Sequence, residues 1–242
     1  NKNSGVRLAY FLMFPSLAFA AYWSANFPTQ PLLLLALLCI CAAIIWVRPA
    51  FLIAIILAAL PVLDLAPWSG RFFLDEFDLL VLVSLAIGYA RVRPIEGKNR
   101  YADTLFSSVS ILLAISFTIS AFRGLTPWKM LDANAFTNYF SPYNALRIGK
   151  GALWAMLSLE LLRRMAAAKM DIRNPLIIGM VTGLALTVVS ILWERLAFSG
   201  LTNFASDYRV TGPFSSMHTG GAYIECFLAI ATPFLLLLIL KT

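Results

Sequence analysis

Charge is what this chain has least of. Only 13% of its 242 residues are Asp, Glu, Lys or Arg, about half the share usual in a soluble domain. With 60% hydrophobic residues and a mean hydropathy of +0.81, the chain reads as an integral membrane protein. Cysteine is scarce as well. Cys39, Cys41 and Cys226 all fall inside apolar runs, which excludes a disulfide or metal-ligand framework and suits packing. Histidine occurs once, at position 218. There is no repeat of fixed period and no low-complexity linker, so residues 1–242 are expected to form one helical domain. No initiator Met and no separate signal pattern are present, and the numbering is expected to begin inside a longer chain. The formal charge of +7 does not point to nucleic acid. Most of the excess lies in short segments between apolar runs, where it orients spans.

Those runs are 8–25, 31–47, 50–66, 77–90, 104–122, 145–162, 175–193 and 222–240. At about 20 residues per crossing they predict an all-α polytopic bundle of about eight transmembrane helices. Pro15, Pro61 and Pro233 lie inside runs, where neighbouring helices can re-satisfy the freed carbonyls. Lys and Arg fix the orientation. Lys2, Arg7, Arg48, Arg91, Arg93, Lys98, Arg100, Arg163, Arg164, Lys169, Arg173 and Lys241 all fall on one side if every run crosses. That side, and the N-terminus with it, is expected to be cytoplasmic. The opposite segments, including 194–221, are longer and richer in Trp, Pro, Asn and acidic residues, and are expected to face outward.

The span centres are nearly free of charge, which counts against an ion-coupled carrier. Polar groups gather at the outer ends: Asp64, Arg71, Asp75, Glu76, Asp78, Arg147, Lys150, Glu194, Arg195 and Glu225. Arg147 and Lys150 share a helical face. They either snorkel to lipid phosphate or clamp a substrate phosphate, beside the aromatic YFSPYN segment that could seat a sugar. The DEFD cluster at 75–78 either starts a helix, where acid meets the dipole, or pairs with Arg71, or offers oxygens to a hard cation. We expect no metal and no cofactor.

Residues 206–225, SDYRVTGPFSSMHTGGAYIE, place Asp207, Arg209, His218 and a Gly-Gly pair between the last two runs. Arg209 either pairs with Asp207 or Glu194 or meets a substrate. His218 is either an inert loop residue or a base able to titrate near neutral pH. Glu225, one turn into the last run, needs a partner at that depth, with Arg209, Arg147 and Lys150 as candidates.

At RVTGPF, positions 209–214, the chain resembles the O-antigen ligase and O-antigen polymerase superfamily of bacterial polyprenyl-linked glycan transferases. The family pattern is approximately Arg-x-Thr-Gly-x-Phe, followed by a His/Asn-Pro-Asn-like segment and a span. Arg209, Thr211, Gly212 and Phe214 match it, while Ser216, Met217 and His218 stand where the proline and asparagine are missing. The resemblance implies an inverting, metal-independent transferase of the bacterial inner membrane. Such an enzyme passes a glycan from undecaprenyl pyrophosphate to an acceptor glycan or glycolipid at the periplasmic face. It also implies that Arg209 binds the pyrophosphate, with Thr211, Gly212 and Phe214 around it, as expected where fixed cations stabilise a leaving group. Arg147, Lys150 and Glu225 are further substrate-site candidates by position. The family carries a later loop with a second arginine and a catalytic histidine, which have no counterpart here. Two other classes stay open: a transporter or flippase for a lipid-linked or amphipathic substrate, and a non-catalytic subunit of a polysaccharide assembly complex.

Overall fold

A computed structural model describes residues 2–63, 73–93, 100–132, 135–136, 140–198, 200–203, 210 and 222–240. Among them are eight helices and no strand. They are α1 (Lys2–Ala25), α2 (Pro31–Val47), α3 (Phe51–Ala59), α4 (Glu76–Arg91), α5 (Arg100–Gly124), α6 (Asn144–Ala167), α7 (Arg173–Phe198) and α8 (Ala222–Ile239). Three stretches, Arg7–Ala25, Thr104–Gly124 and Arg173–Phe198, are long and apolar enough to cross a membrane.

Helix α4 is the axis of the bundle. It is apolar all round, as a helix surrounded by others must be; Leu79, Leu80, Val81, Val83, Leu85 and Ile87 are all buried. It packs on α1, α2, α3 and α6. Its ends are set by charge: Asp75 caps the start, Glu76 and Asp78 stand in the first turn, and Arg91 stands in the last. Each sign meets the favourable end of the helix dipole. Tyr89 also ties α4 to α6, donating from its hydroxyl to Leu157 O at 2.7 Å.

A second packing unit runs from α3 through α7 to α8. Met180, Leu184, Phe227 and Ala231 form its core. Helix α5 packs on α6 alone among the described residues, and its outer face exposes Leu105, Ile111, Leu112, Ile115 and Ile119.

Two expectations need correction. The run 50–66 is not one long helix: α3 has nine residues, about 13 Å at 1.5 Å per residue, against the roughly 30 Å of a bilayer core. Pro61 is the physical reason. It follows directly on the C-cap Leu60, where a residue without an N–H and with a ring against the preceding turn stops a helix. By contrast Pro15 and Pro233 sit inside α1 and α8, which continue through them. Second, the segment 194–221 does not begin as loop, because α7 continues to Phe198.

Helices α2, α4 and α6 run in the same direction, end beside end, and like residues collect at each end. At one end, guanidinium groups lie over rings from neighbouring elements. Arg91 sits 5.0 Å from the Trp46 centroid, Arg163 4.9 Å from Phe106 and Arg164 4.8 Å from Tyr89. At the other end stand Asp75, Asp78 and Lys150.

Candidate functional site

The site begins with the turn that starts α4. Asp75 is extended, with φ −96° and ψ −179°, as an N-cap residue should be. Its Oδ1 accepts the Asp78 N–H at 2.9 Å, and Asp78 Oδ2 accepts the Asp75 N–H at 2.9 Å. That reciprocal box satisfies two amides which the helix itself leaves open. The helix-start reading of DEFD is therefore what the geometry displays.

The same Asp78 carboxylate is the hub of contacts with α6. It accepts Trp154 Nε1 at 2.7 Å and forms an ion pair with Lys150 Nζ. Lys150 also donates to Phe73 O at 2.6 Å and stands 3.6 Å from Asp75 Oδ2. Its ammonium lies 5.5 Å from the Phe73 ring centroid. Phe73 continues into an aromatic set, with Phe136 at 5.1 Å and Tyr143 at 5.7 Å from Phe136. Tyr143 in turn donates its hydroxyl to Lys129 O.

Arg147, Lys150 and Trp154 form one stripe on α6, at the three- and four-residue spacing of a helical face. The two cations have different duties. Lys150 is committed to Asp78, Asp75 and Phe73 O, whereas half-buried Arg147 makes no hydrogen bond or ion pair among the described residues. Beside the stripe a groove of about 400 Å³ opens between α1, α4 and α6. Pro15 and Phe19, Leu79 and Leu82, and Trp154 line it, and Asp78 reaches its edge.

Two polar groups on α4 are buried, which the sequence reading does not anticipate. Glu76 is 3% exposed, and neither of its carboxylate oxygens has a hydrogen-bond partner among the described residues. Ser84, two turns further along, is fully buried with its Oγ likewise unsatisfied. Nothing in the pattern DEFD says which of its carboxylates turns inward, because that depends on which neighbours surround α4.

Arg209, Thr211, Gly212, Phe214 and His218 lie outside the described residues, as do Asp64 and Arg71. The approach to that motif is described at its start: Arg195 donates to Asn203 O at 2.7 Å and to Leu201 O at 3.4 Å. Glu225 is exposed in the first turn of α8. Since α8 packs on α7 alone among the described residues, the fold does not bring Glu225 into the cluster of Arg147 and Lys150. No group of three or more His, Cys, Asp or Glu among the described residues could hold a metal ion.

The cluster has a pH signature. Burial, and after it the neighbouring Asp78 carboxylate, pushes the Asp75 carboxyl up from 3.8 to about 6, against the opposing pull of Lys150. An acid raised in the folded state adds stability that is complete below its ordinary value and lost as pH rises through its folded one. Asp75→Asn keeps a capping acceptor and removes the titration. Wild type is therefore expected to lose stability relative to Asp75→Asn as pH rises from about 4 to about 7, read as a changing gap in apparent Tm. A gap that stays constant across that range would show that Asp75 ionises at its ordinary value.

The chain matches no protein-family model, no curated protein and no solved structure. Any likeness to glycan transferases rests on the RVTGPF residues themselves.

Proposed function

We propose that this chain is a multi-pass bacterial inner-membrane protein with its N-terminus in the cytoplasm, acting as a polysaccharide polymerase or O-antigen ligase. It transfers a glycan from undecaprenyl pyrophosphate to an acceptor glycan or glycolipid at the periplasmic face. The observation that carries the reading is the groove between α1, α4 and α6, lined by Trp154, together with Arg147 on the same stripe of α6, unpaired among the described residues. Apolar walls suit a prenyl chain. Arg147, two turns along the α6 stripe from Trp154, supplies the cation at the level where a diphosphate would sit. Arg offers a bidentate fork to such a group. The rings of Phe73, Phe136 and Tyr143 at the same end suit the apolar face of a sugar.

Within this reading Arg209, with Thr211, Gly212 and Phe214, holds the pyrophosphate, and Arg147 adds a second contact. Lys150 acts through Asp78 to fix α6 against α4, so it positions Arg147 and does not meet the phosphate first. His218 is the candidate base and Glu225 a substrate contact from α8. Partners in polysaccharide assembly would dock from the membrane.

The test is in cells that make the polymer. Arg209→Ala and Arg147→Ala should each abolish or sharply reduce polymer or ligated glycan at normal protein level. A tenfold loss corresponds to about 1.4 kcal/mol of lost transition-state binding, and removal of one positioned donor usually costs more than that. Lipid-linked precursor should accumulate on the outer face. Precursor retained on the inner face would assign the chain to flipping, and unchanged polymer with both variants would leave it without a transferase role.

A further inference from the structure

At the opposite end of the bundle a cleft of about 360 Å³ opens between the α2–α3 turn and the start of α7. Its walls are apolar, with Pro49, Phe51, Met170, Pro175 and Ile178 among them, and Arg48 stands at its mouth. Lys169 and Arg173 flank the lining residues Met170 and Asp171 in the chain. None of these three cations has an ion pair or a hydrogen-bonded side chain among the described residues. Arg48 meets only the face of Phe51, at 6.0 Å from the ring centroid. The one carboxylate present, Asp171, is turned to its own chain. Its Oδ1 accepts the Asn174 N–H at 3.2 Å, and its Oδ2 accepts the Asn174 side-chain amide.

We propose that this cleft binds an anionic phospholipid, its phosphate at Arg48 with Lys169 and Arg173 beside it, and an acyl chain along Phe51, Pro175 and Ile178. Charge complementarity selects the occupant. Arg48 in the lining, and Lys169 and Arg173 next to lining residues in the chain, are unpaired among the described residues, against one internally satisfied carboxylate, and basic pockets between membrane helices take anionic headgroups. A zwitterionic lipid would bring its own ammonium toward those cations. A free phosphate would gain nothing from the apolar wall, which is most of the lining. The inference needs a chain seated in a membrane and does not depend on the transferase reading, since the cleft lies at the end away from Asp78 and Lys150.

The experiment uses the full chain in a neutral detergent, titrated separately with phosphatidylglycerol, phosphatidylcholine and inorganic phosphate, with retained lipid counted by native mass spectrometry. Phosphatidylglycerol should be retained about tenfold better than phosphatidylcholine. Arg48→Ala and Arg173→Ala should each weaken that retention about fivefold, the worth of one interfacial cation, and Arg48→Lys should restore most of it. Arg48 is exposed, so its replacement leaves packing intact. A matching apparent Tm for each variant confirms that. Equal retention of the two lipids, wild-type retention by Arg48→Ala, or displacement of phosphatidylglycerol by equimolar inorganic phosphate would each overturn the proposal.

Discussion

Replacing Lys150 with methionine is expected to destabilise the protein by about 3 kcal/mol, at the low end of the range for breaking a buried ion pair. The Lys150 side chain is 10% exposed and that of Asp78 4%, so the substitution strands a carboxylate that water cannot reach. It stays at the low end because Asp78 keeps two other donors, Trp154 Nε1 and the Asp75 N–H. Methionine fills the volume of the lysine stem, so the loss is of charge and not of packing. Asp78→Asn is the milder change, because Lys150 retains Phe73 O and Asp75. The double variant, Lys150→Met with Asp78→Asn, should regain most of the loss, since two neutral groups bury more cheaply than one unpaired charge. Unfolding free energies of the three variants in mild detergent decide the matter. If Lys150→Met is as stable as wild type but the polymer is lost, Lys150 serves the substrate and not the fold.

That prediction marks where sequence reading stops. Arg147 and Lys150 share a face of α6 by spacing alone, and the acidic cluster at 75–78 announces the start of α4 by composition alone. Which of the two cations meets the cluster is a matter of how α4 and α6 are set against each other. A step of three residues rotates a helical side chain by about 60° from its predecessor's face and moves it about 4.5 Å along the axis. That is enough to give Lys150 to Asp78 and leave Arg147 unpaired. The ends of helices were legible where the chain carries a charge or a cap, as at Asp75 and Arg91. They were not legible at Pro61, because Pro15 and Pro233 are sequence-equivalent prolines that their helices accommodate. Glu76 shows the same limit from the other side, since its burial follows from the neighbours of α4 and not from its own surroundings in the chain.

Gly179→Val is expected to cost about 3 kcal/mol or more by forcing α3 and α7 apart, an overpacking that cannot be relieved by side-chain motion. Gly179 and Gly183 stand at the four-residue spacing that lets two helix backbones approach closely. A Cβ at Gly179 would lie 2.7 Å from Ala54 Cα and 2.8 Å from Ala54 O, and one at Gly183 would lie 2.9 Å from Leu57 O. Those neighbours are backbone, so the helices themselves must move. The spacing is visible in the sequence, but it names a close helix pair without naming the partner, and α3 is the shortest helix among the described residues. Even Gly179→Ala should destabilise: the helix gains about 1 kcal/mol in propensity, and the clash costs about 1–3 kcal/mol. Gly151 supplies the opposite sign. Nothing lies within 4 Å of a Cβ placed there, so Gly151→Ala should stabilise by about 0.5–1 kcal/mol through propensity alone. The same substitution at two helical glycines thus separates close backbone contact from helix propensity. Unfolding curves in which both alanine variants gain stability would mean that α3 and α7 do not touch at Gly179, and with that contact would go the link between the α4 bundle and the α7–α8 pair.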